Sequence, residues 1–383
     1  MIQKEKEIVI WHEFDGPGDT SIEVLEEICA LYSERNHIKV TTKVMSLHEL
    51  TQKVREVGTT GVSPHMIMVP EDMATYAEKG CYSEMDRNLF KDVLSEDMRS
   101  TMQYNGVQYG VPILTGNHLV LYYNKEIMEK APQSWDDIER LADALKSNNI
   151  IPIGADFNQS YWFIPILSAF GGWPIKDDKP SVDTKEMKNA MQFVRNKLDE
   201  NIVVSLDAST ELLEQFMEGK IGAIITGEWN YNYLNQHMGE RLGVGRLPDI
   251  QGNHSIAMTS SIGLFYLNHS LESEYREDLL SFTAFMLSEE CQLKWANQVQ
   301  RIPASQRVLE SLSTTSSPNN KEILSLIQYN RPLPIHDSMF ALWIALDYGL
   351  DLLIKGYSIP DSINQIVEKL GHLNVEPAEK VST

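Results

Sequence analysis

Cysteine is scarce in this 383-residue chain, which has three, Cys29, Cys81 and Cys291. They show no C-x-x-C spacing, and an odd number cannot pair completely within one chain. Two readings stand, three buried thiols or one incidental disulfide, and neither fixes a compartment. Apolar runs are short: none approaches the ~18 residues of a membrane-spanning helix, and the opening Met1-Ile-Gln-Lys-Glu-Lys-Glu7 lacks the apolar centre of a secretion signal. Either the protein stays inside the cell or a signal precedes this numbering. Positive charge is also in deficit, with 33 Lys plus Arg against 54 Asp plus Glu and a formal charge of −21. Such a surface repels phosphate backbones and anionic lipid, which excludes nucleic acid as a partner. No G-x-G-x-x-G follows the first strand-like run, and no G-x-x-x-x-G-K-[ST], G-x-S-x-G or H-E-x-x-H occurs, so no cofactor, metal or nucleophile elbow is expected. Low complexity is confined to Ser311-Leu-Ser-Thr-Thr-Ser-Ser-Pro-Asn-Asn320, read as a loop and as a passage between lobes.

What is present suits a globular protein of two lobes. The chain is too long for one ordinary core and fits two domains of roughly 150 to 200 residues. Its 42% apolar and 23% charged residues leave ample material to bury. Three strand-like runs open it, Ile8 to Trp11, Ile38 to Val44 and Met66 to Val69, separated by helical segments. Thr20-Ser-Ile-Glu23 reads as a capping box ahead of Ile22, Leu25, Ile28, Leu31 and Tyr32 at helical spacing. Repeated βαβ units of this kind build a mostly parallel sheet flanked by helices. Ligands bind such sheets beyond the carboxyl ends of the strands. There the first strand empties into Trp11-His-Glu-Phe-Asp-Gly-Pro-Gly-Asp19 and the third into Pro70-Glu-Asp-Met73, at the start of another helix. Glu13, Asp15 and Asp72 are the candidates in this lobe.

A Gly-punctuated hairpin, Tyr104-Asn-Gly-Val-Gln-Tyr-Gly-Val-Pro112, leads through a polar joint, Thr115-Gly116-Asn117, into Leu119-Val-Leu-Tyr-Tyr-Asn-Lys125. That is how a chain crosses from one lobe to another. Beyond it the α/β pattern begins again, with a Ser134-capped helix, a strand from Ile151 to Gly154, and a buried strand Gly222-Ala-Ile-Ile225 ending in Thr226-Gly227-Glu228-Trp229. Ser261 to Leu267 returns the chain. Tyr161 and Trp162 open an apolar helix, and Trp343 lies in another. A sugar presents flat C–H faces and a rim of hydroxyls, so its site wants aromatic platforms for the faces and carboxylates or amides for the rim. Aromatics at strand ends in one lobe and acids at strand ends in the other meet that demand. Glu13, Asp15, Asp72 and Glu228 also leave open a glycoside hydrolase, which needs two carboxylates facing each other.

In order along nearly the whole chain, these motifs resemble those of extracellular solute-binding protein family 1, the maltose-binding-protein-like carbohydrate-binding components of ABC importers. Ile-Val-Ile-Trp11 resembles the family's first strand, with Glu13 and Asp15 in the loop that contributes polar sugar contacts. Glu71 and Asp72 stand where an acid follows the third strand, and Asn117 where the crossing carries one. Tyr161 is similar to the family's aromatic platform, and the Trp229 of Gly-Glu-Trp to the tryptophan of its Gly-Pro-Trp. Trp343 and Arg301-Ile-Pro-Ala304 resemble late family elements.

The resemblance implies the two-lobed periplasmic-binding-protein fold of type II, each lobe an α/β unit with a mostly parallel sheet, joined by hinge crossings. It implies lobes of residues 1–115 with 267–316 and 116–266 with 317–383, a ligand cleft between them, and Glu13, Asp15, Asp72, Asn117, Tyr161, Trp162, Glu228, Trp229 and Trp343 as its lining. The implied function is capture of a saccharide by a monomer without catalysis, with delivery to the transmembrane permease subunits outside the cytoplasm; a sugar-sensing subunit for a membrane receptor shares the pattern. Val69, Met73 and Asn117 replace a tryptophan, an arginine and an acid of the maltodextrin binder, which points to a different or smaller sugar.

Overall fold

A computed structural model describes residues 6–14, 18–60, 64–207, 210–267, 270–375 and 377. The chain divides into two compact units, residues 1–117 with 260–324 and residues 118–259 with 325–383. In chain order the strands of the two main sheets are β1 (Glu7–His12), β2 (Lys39–Val44), β3 (Met66–Pro70), β4 (Gly110–Thr115), β5 (Leu119–Asn124) and β6 (Ile151–Ala155). They continue with β7 (Val203–Ser205), β8 (Ile221–Gly227), β9 (Leu242–Gly245), β10 (Ile262–Tyr266) and β11 (Ile302–Pro303). The helices that matter most are α1 (Ser21–Asn36), α2 (Leu47–Thr60), α3 (Trp135–Ser147), α4 (Ser160–Ala169), α5 (Glu289–Gln298), α6 (Met339–Ile354) and α7 (Ile359–His372).

The first unit's sheet has the order β11-β4-β10-β3-β1-β2 and the second's β7-β6-β8-β5-β9. If the strand that follows a passage is set aside in each (β10 in the first, β5 in the second), both follow one plan: the second, first and third of the remaining strands lie side by side, and the set-aside strand separates the third from the fourth. In the first unit β1 runs parallel to β2 and β3, while β10 is antiparallel to β3 and β4. In the second, β6 is parallel to β7 and β8, while β5 is antiparallel to β8 and β9. Most strands of each sheet therefore run one way, as the βαβ reading expects. The short edge strand β11 is reversed as well, antiparallel to β4, whereas the reversed strands β5 and β10 follow directly on the passages at 117/118 and 259/260. A strand that enters at the edge where its neighbours end can only run away from that edge. Strand β10 thus lies within the first unit's sheet, although the sequence reading put those residues in the second lobe.

Central strands are apolar throughout because both of their faces are covered: every residue of β3, β8 and β10 is buried. Strand β1 alternates instead, with Ile8, Ile10 and His12 fully buried and the intervening residues half-buried. Its buried face packs against α1 and α5, where Tyr32 meets Phe282 edge-on at 5.1 Å and Phe14 lies 5.9 Å from Trp295. In the second unit Trp135, at the start of α3, meets Phe193 edge-on at 5.0 Å.

Local signals hold or fail for identifiable reasons. Ser134 forms a full capping box, its hydroxyl accepting from Asp137 N at 3.2 Å and the Asp137 carboxylate accepting from Ser134 N at 3.0 Å. Ser134→Ala should lower stability by about 1 kcal/mol, read as a shift of the urea unfolding midpoint. Thr20 makes no side-chain cap bond; Asp19 instead accepts from Ser21 N at 2.8 Å. The turn at Asn105 and Gly106, both with positive φ, closes the expected hairpin. The segment after β3 is a 3₁₀ helix, Glu71–Lys79. The serine-rich run 311–320 is helical rather than a loop, spanning Gln306–Thr315 and the start of Pro318–Leu326. Val308, Leu312, Ile323 and Leu326 supply its buried face, and Ser311, Ser313, Thr314 and Thr315 bond back to carbonyls three or four residues earlier.

Candidate functional site

At the carboxyl edge of the first unit's sheet, β1, β3 and β4 end side by side with the entry of β10. Glu13 follows β1 and Asp72 follows β3, both half-buried, and Asn117 follows β4. Asp15 lies outside the described residues. Adjacent to Glu13, His12 points into the core: its Nδ1 accepts from Phe14 N at 3.3 Å and burial pushes its pKa down to about 4, so it is a neutral packing group. Asn117 has φ 37° and its amide donates to Ser260 Oγ at 2.9 Å, while Ser260 N donates to Gly116 O at 3.1 Å. That pairing fastens the outgoing chain at 116–117 to the returning chain at 260.

Glu71, which shares with Asp72 the place of the family's acid, is not among the lining residues expected from the sequence. It is 3% exposed, and its carboxylate accepts from Ser261 N at 2.8 Å while its own N–H donates to Ser261 O at 3.0 Å. Burial raises its pKa to about 8, against the pull of the Ser261 bond. The sequence shows two consecutive acids behind an apolar strand. Only the observed backbone reveals that the first turns inward and the second outward.

The corresponding edge of the second unit carries aromatic rings. Tyr161 is central to them: its ring centroid lies 6.0 Å from Trp162, 6.4 Å from Trp229 and 6.2 Å from Trp343. Trp162 also meets Trp229 at 6.2 Å and 90°. The four come from three elements, α4, the turn after β8 and α6, so tertiary packing assembles the cluster. Trp162 is the foundation, 7% exposed, with Nε1 donating to Ile225 O at 3.0 Å. Tyr161, Trp229 and Trp343 are each half-buried. Tyr161 is held at its far end as well, its hydroxyl donating to Met258 O at 3.4 Å.

Glu228 is 1% exposed and its N–H donates to His118 O at 3.0 Å. It is thus buried, although the sequence pattern and the resemblance point to it as a ligand contact. Two further acids, not singled out from sequence, stand at the start of α4. Asp156 accepts from Asn158 N at 3.2 Å and Gln159 Nε2 at 2.9 Å, and Asp347 on α6 accepts from both Ser160 N at 2.7 Å and Ser160 Oγ at 2.5 Å. Burial raises the pKa of Asp347, and the Ser160 bonds act against that rise. Its position four residues after Trp343, on the same helical face, was the available signal.

Taken by itself, the aromatic cluster of the second unit suits the apolar face of a ligand, and the half-buried acids of the first unit suit hydroxyl donors. Bacterial extracellular solute-binding protein is the description of the family that matches residues 27–322. The chain belongs to this family. Among its relatives, a galactooligosaccharide-binding protein of Bacillus subtilis (strain 168) is 22% identical over 388 residues, covering 95% of this chain and 89% of the relative. A maltooligosaccharide ABC transporter solute-binding lipoprotein of Streptococcus pneumoniae serotype 4 (strain ATCC BAA-334 / TIGR4) is 22% identical over 83% of this chain and 78% of its own. A maltotriose-binding protein of Pyrococcus abyssi (strain GE5 / Orsay) is 21% identical over 91% of this chain and 77% of its own.

In this extracellular solute-binding protein Cys29, Cys81 and Cys291 are free and buried. Burial pushes the Cys29 thiol up to about 12 and that of Cys291 up to about 11, so neither is a nucleophile at neutral pH. Among the described residues no group of His, Cys, Asp and Glu is placed to hold a metal ion, and no helix is long and apolar enough to cross a membrane.

Proposed function

We propose that the protein binds an oligosaccharide and delivers it, outside the cytoplasm, to the membrane subunits of an ABC importer. The observation that carries this reading is the cluster of Tyr161, Trp162, Trp229 and Trp343, three of which are only half-buried. Stacking against sugar C–H faces gives affinity, while Glu13 and Asp72 accept from hydroxyls and fix which sugar fits. A site built to pair with hydroxyls rejects an analogue that lacks one, because a buried acceptor left without its donor costs about 1–3 kcal/mol. No bond is made or broken; capture and release are reversible steps of a carrier acting as a monomer. The relatives that carry maltooligosaccharide and galactooligosaccharide in their names set the first ligands to try.

A thermal-shift series with maltotriose, maltotetraose and galactooligosaccharides tests it. Ligand present at a hundred times its Kd stabilises the native chain by about 2.7 kcal/mol and raises the midpoint accordingly. An unmoved midpoint with every sugar of the series would count against the proposal. Chromatography of the same incubations separates carrier from hydrolase: the carrier returns its sugar intact, and shortened products would replace it with a glycoside hydrolase.

A further inference from the structure

The first turn of α4 has an unusual cap. A helix leaves its first N–H groups without intrahelical acceptors, and the residue before it ordinarily supplies one. Here that residue, Gln159, makes no side-chain cap bond and donates to Asp156 instead. The acceptor comes from 187 residues away in sequence: Asp347 Oδ1 takes both the Ser160 N–H at 2.7 Å and the Ser160 hydroxyl at 2.5 Å. Ser160 is 2% exposed, which shields this pair of bonds from water. The next residue is Tyr161, the ring on which the aromatic cluster centres. Asp347 lies one helical turn beyond Trp343 on α6, so one helix face presents both the cap for α4 and a ring of the cluster.

We infer that Asp347 is a positioning residue of the saccharide site: by capping α4 through Ser160 it sets the Tyr161 ring against Trp343. This rests on the proposed function for its meaning but on the geometry of the cap for its content. With Ser160 tied to α6 and the Tyr161 hydroxyl tied to Met258 O, the ring is held at both ends. A platform held in this way loses little further freedom when a sugar stacks on it, which is how preorganisation raises affinity. Negative charge at a helix N-terminus is itself favourable, so Asp347 and Asp156 share that end without opposing it.

The test compares Asp347→Ala, Asp347→Asn and Ser160→Ala with the wild-type chain. Two readouts are used: the near-ultraviolet circular dichroism of the ligand-free protein, and the Kd for maltotriose and for galactotriose by calorimetry. Asp347→Ala should alter the aromatic band and raise the Kd about tenfold. Asp347→Asn keeps an oxygen acceptor for Ser160 and should restore the band, with a Kd within about twofold of wild type. Ser160→Ala keeps the backbone bond, so it folds even if the alanine variant at 347 does not, and should raise the Kd about threefold. A normal band and a normal Kd in Asp347→Ala, with only the unfolding midpoint lowered, would make Asp347 a stabilising residue and overturn the inference. So would an unchanged Kd in Ser160→Ala. If the wild-type chain binds neither sugar, the proposed ligand class fails, and the spectra alone decide the positioning role: a changed band restored by asparagine supports it, an unchanged band overturns it.

Discussion

Trp229→Ala is expected to lower saccharide affinity by about a hundredfold, close to 2.7 kcal/mol, and to leave the unfolding midpoint within about 2 °C of wild type. The size follows from where the indole sits. It is half-buried on the turn that ends β8, 6.4 Å from Tyr161 and edge-on to Trp162 at 6.2 Å, so it already shares a fixed arrangement before any ligand arrives. Aromatic anchors of this kind dominate binding energies, whereas a half-buried residue gives up less core packing when truncated. The turn beneath it is fixed by the Tyr122 hydroxyl, which donates to Gly227 O at 3.2 Å. Gly227 has a second duty. A Cβ there would meet the Trp229 ring at 2.1 Å, so the indole occupies the space a side chain would need. Gly227→Ala should therefore displace the ring and weaken binding in the same direction, while a variant elsewhere on β8 would not. Calorimetry with whichever sugar shifts the wild-type midpoint reads both variants. Unchanged affinity in Trp229→Ala removes this residue from the site, and a midpoint lowered by more than about 8 °C would return it to the core.

Much of the architecture was legible because it is written locally. The strand runs of β1, β3 and β8, the Ser134 cap and the joint at 115–117 each follow from a few neighbouring residues, and the aromatic positions of the cluster were readable as aromatics behind a strand or on apolar helices. The misreadings share another cause. Residues 311–320 have loop composition, yet Val308 and Leu312 on one side and Ile323 and Leu326 on the other supply buried faces that override it. Thr20 has the right spacing for a cap, but Asp19 accepts from Ser21 N and takes the bond. The place of β10 depends on partners about 150 and 190 residues away, β4 and β3, which no local pattern announces. Asp347 and Glu71 belong to the same class: each is an ordinary acid until a distant backbone N–H, of Ser160 or Ser261, gives it a task.

Glu71 also makes stability depend on pH in an unusual direction. Its ordinary pKa of 4.5 applies to the unfolded chain, and burial raises it to about 8 in the folded one. Between those values the folded protein holds a proton that the unfolded chain releases, so raising the pH favours unfolding across that window. The carboxyl's contribution is fully present below pH ~4.5 and lost as the pH rises through ~8, opposite to the usual paired carboxylate. A tenfold change in an acid constant is worth about 1.4 kcal/mol, so the loss across this window is on the order of a few kcal/mol. Other groups titrate in the same range, and a comparison of variants separates them from Glu71. Glu71→Gln keeps an oxygen for Ser261 N and removes the charge, so its stability should fall less between pH ~5 and pH ~9, by roughly the amount Glu71 contributes. Urea unfolding of both chains at the two pH values measures that difference. Parallel pH profiles would mean that Glu71 ionises as freely in the folded protein as in the unfolded one, and that its bond to Ser261, where β10 begins, is made by an ordinary carboxylate.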